Sequence, residues 1–399
     1  VIQYSTIKKR KESFKRKKSE SESDDSSSYL GLKTDNIFYK SDSSDSFNIN
    51  SDENDSYSIS NFKLNDYFNN EKEFDNESNV SYEFNLLNID NPNTKPEWMK
   101  EDTEEIKNAK LRFNQEILDY IDYITPKGWD YAKRELAIDE LKQIINKYNK
   151  NIEVVLFGSF YQDTSTVFSD IDITLINDSR IELIELYNIN EYLIRNGYSY
   201  DMRFINAKVP ILKGTHYLTG IKVDISYNRL NGYNDSSIIK NIIEENEIIK
   251  QAFIILKILL KKNNLNKPYY GGMSSFLLFH LIYFFYLECN KNYLLNFDNI
   301  ASFITSFLEY YGTQFDFDYY GISLNKNYYG NKFRKYNYYM NSYENICVEN
   351  INEKHVNIGH NCFNYEDIVF LFKNTFNIIK KEEKINSLSI LKKLGFPTK

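Results

Sequence analysis

Cysteine and histidine are scarce in this chain, with three and four among 399 residues. Cys289, Cys347 and Cys362 fall at no CxxC spacing, which argues against a disulfide framework and against a structural zinc. The reducing interior of a cell is the expected compartment. Long apolar runs are also missing. The most apolar stretch, Phe276 to Leu287, is about a dozen residues long, too short to span a bilayer, and is interrupted by His280. It reads as a buried helix, and no membrane partner is expected. No signal-peptide pattern opens the given sequence, whose first residue is Val1, and the start of the chain is expected upstream.

An excess of basic charge is absent too. Lys and Arg total 49 against 56 Asp and Glu, for a net charge of −7. Roughly five of these seven negative charges lie in residues 1–95, so the remainder is nearly neutral. That is weak footing for holding nucleic acid unaided, because phosphate contacts supply most sequence-independent affinity. A basic partner or a local patch has to make up the difference.

Residues 1–95 consist of Ser, Asp, Glu, Asn and Lys with scattered aromatics and read as a disordered, charged, low-complexity tail. Within it, Lys8-Lys9-Arg10-Lys11 and Lys15-Arg16-Lys17-Lys18 have the pattern of a two-part nuclear import signal; a solvated charge run is the alternative. From Trp98 onward apolar residues become periodic. Helices are expected over Ile106 to Ile124, ended by Pro126, and through Leu136, Leu141, Ile145 and Tyr148. Short β-branched segments follow at Glu153 to Phe157, Ile171 to Ile176 and Lys222 to Tyr227. A helical stretch around Ile181 to Ile194 and an extended segment, Lys208 to Leu212, separate the last two. Asn231-Gly232 signals a turn. Beyond it helices are expected over Ile238 to Lys262, Ser274 to Cys289, Asn299 to Tyr311 and Tyr365 to Lys380. The fold class is α+β, a helix-flanked mixed sheet beside a helical body, with no internal repeat.

The chemistry concentrates in Leu156-Phe157-Gly158-Ser159, ten further residues, then Asp170-Ile171-Asp172, and finally Asp224. Strand residues i and i+2 share a face, so Asp170 and Asp172 present two carboxylates together while Ile171 and Ile173 face the core. Asp224, between Val223 and Ile225, belongs on a neighbouring strand about 5 Å away. Three uncompensated acids on a half-buried face repel one another, and a hard divalent cation, Mg²⁺ or Mn²⁺, resolves the conflict. Gly158-Ser159 closes the first strand where bare backbone and a hydroxyl can approach triphosphate. Each motif alone is commonplace; the combination points to metal-dependent nucleotidyl transfer, with Asp170, Asp172 and Asp224 both catalytic and metal-binding.

This arrangement resembles the DNA-polymerase-beta-like nucleotidyltransferases. FGSFYQDTSTVFSDIDITL, GIKVDISYNRLNG and NKPYYGGMSSFLLF are similar to segments of the noncanonical poly(A) polymerases of the nuclear-surveillance (TRAMP) kind. The resemblance covers about Trp98 to Lys380. It implies a catalytic palm at 127–235 and a helical central domain from 96–126 and 236–399, with nucleotide in the cleft between them. Lys257 and Lys261, four apart on one helical face, would then meet triphosphate; a snorkelling pair is the alternative. Ser275 would touch triphosphate and Phe276 would support the base, where otherwise N-capping and core packing explain them. Asn231 and Gly232 fall at the family's ribose-contacting position.

The segment from Cys347 to His360 resembles the family's base-recognition loop, which makes Asn350, Glu353 and Val356 nucleotide-contact candidates. Family members usually carry Asp-Pro where this chain has Asn350-Ile351, and Arg where it has His360. At Val356, uridylyl-adding members typically place His and adenylyl-adding members more often Asn. His355 is one residue away, and His355 and His360 read as surface histidines.

The implied function is template-independent RNA 3′-end polyadenylation from ATP by two-metal-ion nucleotidyl transfer. A terminal uridylyltransferase, an inactive RNA-decay scaffold and a small-molecule nucleotidyltransferase are the alternatives. Implied partners are RNA 3′ ends, an RNA-binding zinc-knuckle protein and a helicase and exosome. The nucleus, including the nucleolus, is the implied location, and the cytoplasm the alternative.

Overall fold

A computed structural model of the chain describes residues 94–177, 182–206, 209–291, 299–324, 330–334 and 346–399. The basic clusters and nearly all of the expected tail lie outside the described residues.

After a short helix α1 (Glu101–Glu105), α2 (Ala109–Ile124) and α3 (Trp129–Tyr148) lead into a five-stranded sheet. Its strands are β1 (Glu153–Phe157), β2 (Ile171–Ile176), β3 (Arg203–Ile205), β4 (Ile211–Thr215) and β5 (Lys222–Tyr227). Their spatial order is β1-β2-β5-β4-β3. Only β2 and β5 run parallel; β1, β4 and β3 join antiparallel to their neighbours. One-turn helix α4 (Gly158–Tyr161) follows β1, and α5 (Glu182–Arg195) precedes β3.

Alternation along the strands sets the inner face: Ile171, Ile173, Leu175, Val223 and Ile225 are fully buried against Ala137, Leu141, Ile145 and Leu193 of the covering helices. The opposite face of β2 and β5 is left to Asp172 and Asp224.

The second core is helical. It gathers α2, α6 (Leu230–Glu245), α7 (Glu247–Lys262), α8 (Ser275–Lys291), α9 (Ile300–Glu309), α10 (Tyr365–Lys384) and α11 (Ile390–Lys393) around Phe253, Phe279, Phe303, Phe307 and Phe372. A three-stranded sheet of β6 (Tyr320–Leu324), β7 (Gly330–Arg334) and β8 (Val348–Glu349), in the order β7-β6-β8, packs on it. No helix among the described residues is long and apolar enough to cross a membrane.

Several local expectations change. Asn231-Gly232 is not a turn but lies in the first turn of α6, where a Cβ on Gly232 would come within 3.1 Å of the Phe157 ring. Close approach to the end of β1, rather than chain reversal, is what glycine serves there. The expected helix from Ile238 to Lys262 is two helices, broken where Asn246 leaves helical geometry. The extended segment sits later, at Ile211–Thr215, with 208 outside the described residues; β3 and the second sheet were not expected. The first helix begins at Ala109, where the Asn108 side chain accepts from the amides of Lys110 and Leu111.

Candidate active site

The parallel register pairs Asp172 directly with Asp224. Asp170 stands just before β2, two residues from Asp172. All three are half-buried. Burial, then the charges of Asp224 and Asp170, push the Asp172 carboxyl up to about 7, while Lys257 and Lys213 pull it back. Asp224 is raised as well, chiefly by burial, against a hydrogen bond from Lys213. Lys213 lies opposite Asp224 in the β4–β5 register, with Nζ 2.5 Å from Asp224 Oδ2.

No group of three or more His, Cys, Asp or Glu side chains among the described residues is placed so that it could hold a metal ion. The donor set nonetheless suits a hard divalent cation: all are carboxylate oxygens, and their mutual repulsion is what a cation between them would relieve. Lys213 supplies part of that positive charge.

Gly158 is held at φ +66°, and a Cβ there would overlap the Asp172 carboxylate and lie 2.7 Å from its Cγ. Glycine at this point therefore lets β1 turn into α4 directly over the acid. The Gly158 amide donates to Ser236 Oγ of α6 at 2.9 Å, tying the turn to the helix that follows the sheet. Ser159, beside it, is largely buried.

The loop from Ser159 to Asp170 is ordered by Arg134, a residue that the spacing argument gave no reason to single out. Fully buried in α3, Arg134 donates through Nη2 to the carbonyls of Thr166 at 3.0 Å and Ser169 at 3.2 Å. The negative charge of Asp170 also attracts its guanidinium. Only a buried, planar, multiply donating side chain can collect adjacent carbonyls in this way.

Lys257 and Lys261 of α7 reach towards β2 and the residues just before it. Burial draws the Lys257 ammonium down to about 8, opposed by the attraction of Asp172, and Nζ lies 5.0 Å from the centre of the Phe253 ring. Lys261 Nζ donates to Phe168 O at 3.0 Å, two residues before Asp170. The two lysines thus bring positive charge to the edge of the acid cluster.

Ser274, rather than Ser275, caps α8, accepting from the Leu277 amide at 3.1 Å. Ser275 is exposed and Phe276 is half-buried. In the loop after β8, Asn350 Oδ1 accepts from the Asn352 amide and the Asn350 amide donates to Val356 O at 2.8 Å. Glu353 and Val356 are exposed on this loop. Asn231 is likewise exposed, on the first turn of α6. His355 and His360 are exposed, as expected for surface histidines.

Two family models match the chain. Residues 113–244 match the central palm domain of mitochondrial-like poly(A) RNA polymerases, and residues 299–355 match the Cid1 family of poly(A) polymerases. Among curated proteins, the chain is 28% identical over 213 residues to the poly(A) RNA polymerase cid14 of Schizosaccharomyces pombe, covering 52% of this chain and 31% of the relative. It is 26% identical over 209 residues to poly(A) RNA polymerase protein 1 of Saccharomyces cerevisiae, covering 51% of this chain and 33% of the relative. The matched region is thus about a third of the length of these relatives. Among solved structures, the polymerase core of TRAMP, an RNA surveillance complex, superposes with a TM-score of 0.68 at 21% identity. That superposition covers 76% of this chain and 97% of the core, and it shows the fold.

Proposed function

We propose that this chain, which belongs to the noncanonical poly(A) polymerases of the nucleotidyltransferase superfamily, adds adenylate to RNA 3′ ends without a template. The observation that carries the reading is the pairing of Asp172 with Asp224 across parallel strands, under a glycine that leaves room for nothing but a hydrogen at its Cα. Even with Lys213 on Asp224, two carboxylates paired on a half-buried face are an arrangement that a purely structural role does not call for.

In the reaction, the RNA 3′-oxygen attacks the α-phosphorus of ATP, a new phosphodiester forms, and the bond to the β-phosphate breaks to release pyrophosphate. Asp224 is the base we assign to the 3′-hydroxyl proton. Asp170, Asp172 and Asp224 would hold magnesium or manganese, which supplies charge neutralisation at the phosphoryl oxygens when bound. Lys257 and Lys261 would bind triphosphate together with Ser159 and Ser275, and Gly158 gives the phosphates access to the acids. Asn231 and Gly232 would meet the ribose, Phe276 the face of the base, and Asn350, Glu353 and Val356 its edge.

Likeness to the core of an RNA surveillance complex and the basic clusters at 8–18 support nuclear RNA surveillance as the setting. The near-neutral body supports a separate RNA-binding partner, of the zinc-knuckle kind, with helicase and exosome association.

The test is extension of an oligo(A) RNA primer by the purified chain with ATP, UTP, CTP and GTP in turn. ATP is expected to be used best, with extension lost in chelator, restored by magnesium or manganese, and lost in Asp224→Asn. Preferred use of UTP would make the chain a uridylyltransferase, and undiminished extension by Asp224→Asn would overturn the site.

A further inference from the structure

The loop between β8 and α10 is anchored at two consecutive residues by two different helices. The Ile351 amide donates to His280 Nε2 at 3.3 Å, and His280 Nδ1 lies 2.8 Å from Phe276 O. With Nε2 accepting, the proton sits on Nδ1 and is donated to Phe276 O. His280 is fully buried, and burial draws its pKa down to about 4, which keeps it in this neutral form. Its ring also meets that of Phe276 edge-on, with centroids 4.4 Å apart. One residue further along, Asn352 Nδ2 donates to Asp235 Oδ1 of α6 at 2.9 Å. Asp235 follows Asn231 by one helical turn and shares its face of α6.

The rest of the loop is tied chiefly to β8. The His355 amide donates to Glu349 Oε1 at 2.8 Å, and Asn357 Oδ1 accepts from the amides of Val348 and Gly359, each at 2.9 Å. With its return limb tied to β8, the loop has Ile351 and Asn352 as its hydrogen-bonded contacts to α8 and α6.

We propose that Asp235 and His280 are positioning residues of the nucleotide site: by clamping Ile351 and Asn352 they fix the height of the loop that carries Asn350, Glu353 and Val356, and this clamp sets nucleotide selectivity. The proposal rests on the nucleotidyl-transfer reading above. Hydrogen-bond readout of a base weakens steeply with misalignment, so a loop free to shift reads several bases nearly equally. Val356 brings no hydrogen-bonding group of its own, which leaves discrimination to the placement of backbone and neighbouring side chains. The Asp235 bond is charge-assisted and so the stronger lever of the two.

The test compares Asp235→Ala, Asn352→Ala, their double variant, Asp235→Asn and His280→Leu in primer extension with all four nucleotides. Asp235→Ala is expected to lower the ratio of kcat/KM between the best and second-best nucleotide roughly tenfold, mainly through KM. Asn352→Ala should match it, and the double variant should be no worse than either single one. Asp235→Asn keeps the accepting oxygen and should stay within a few-fold of the parent. Backbone hydrogen exchange over residues 350–357 should quicken in Asp235→Ala and His280→Leu while α9 keeps its protection. Additive losses, an Asn variant as poor as the Ala variant, or unchanged exchange would overturn the clamp. If the parent chain extends with no nucleotide, the polymerase reading fails, and hydrogen exchange alone decides the clamp.

Discussion

Each of the two cores contains a carboxyl group that its surroundings push up to about 7, Glu116 in the helical core and Asp172 on the sheet. Their company is opposite. Glu116 is completely buried and accepts from Trp98 Nε1 at 3.3 Å, from the Ile390 amide at 2.9 Å, from the Leu391 amide at 3.4 Å and from the Ser389 hydroxyl. Burial alone raises it, and every neighbour pulls the other way. Asp172 instead faces Asp224 and Asp170, which add to the effect of burial. The buried acid of the helical core brings its donors with it, whereas the acid on the sheet stands beside two further carboxylates, with lysines only partly offsetting them.

The largest expected effect breaks the two acids apart by activity. Asp172→Asn should cut primer extension by at least about a thousandfold, since charge stabilisation at the reacting phosphorus depends on it. Its melting temperature should hold or rise as repulsion is relieved. Glu116→Ala should do the reverse, costing about 2–4 kcal/mol by stranding buried donors, with extension per folded molecule retained. A calorimetric loss in Asp172→Asn equal to that of Glu116→Ala would erase the distinction.

Next in size is Gly158→Ala. The forced change of a positive φ and the overlap with Asp172 should lower extension roughly a hundredfold and stability by about 1–3 kcal/mol. Extension at the parental rate would mean that Asp172 is not held where the chemistry needs it.

The smallest effect is a pH slope. Glu116 holds its proton at about 7 when folded against an ordinary value of 4.5, so between these values the native state binds more protons than the unfolded chain. Its contribution to stability is therefore most favourable below about pH 4.5 and is lost as pH rises through 7. Melting temperatures of the parent and Glu116→Gln, followed from pH 5 to pH 8, should show the steeper decline in the parent. Parallel curves would remove burial as the cause.

Much of the palm was legible in the sequence because alternation on β2 and β5 is strict: isoleucines inward, aspartates outward, with the third acid opposite the second. The partners of those acids were not. Lys213 meets Asp224 only through the β4–β5 register, which was not expected, and Arg134 meets the carbonyls of Thr166 and Ser169, and Asp235 meets Asn352, only through tertiary packing between distant elements. Asn246 escaped notice because Ile242, Ile243, Ile248 and Ile249 keep the apolar period running across the break. The second sheet escaped because β8 is only two residues long and carries too little alternation to register. Asn231-Gly232 misled because the pair is a common turn signal, while here its glycine answers to the Phe157 ring.

The chain leaves the helical core at Ile124, builds the palm, and re-enters at Ile239. The face of α2 that carries Arg112, Glu116 and Tyr120 is covered by Trp98 on one side and by residues 386–397 on the other: Arg112 donates to Asn386 O at 3.0 Å and Ser387 O at 2.7 Å, and Tyr120 to Pro397 O at 3.0 Å. These contacts join residues 274 to 277 positions apart. At ribosomal rates of roughly 5–20 residues per second, that face of α2 therefore waits many seconds for these last partners. The palm is synthesised in that interval, and its own contacts are comparatively short in range. Order of synthesis thus places the five-stranded sheet ahead of the helical core, whose α2 face is completed last.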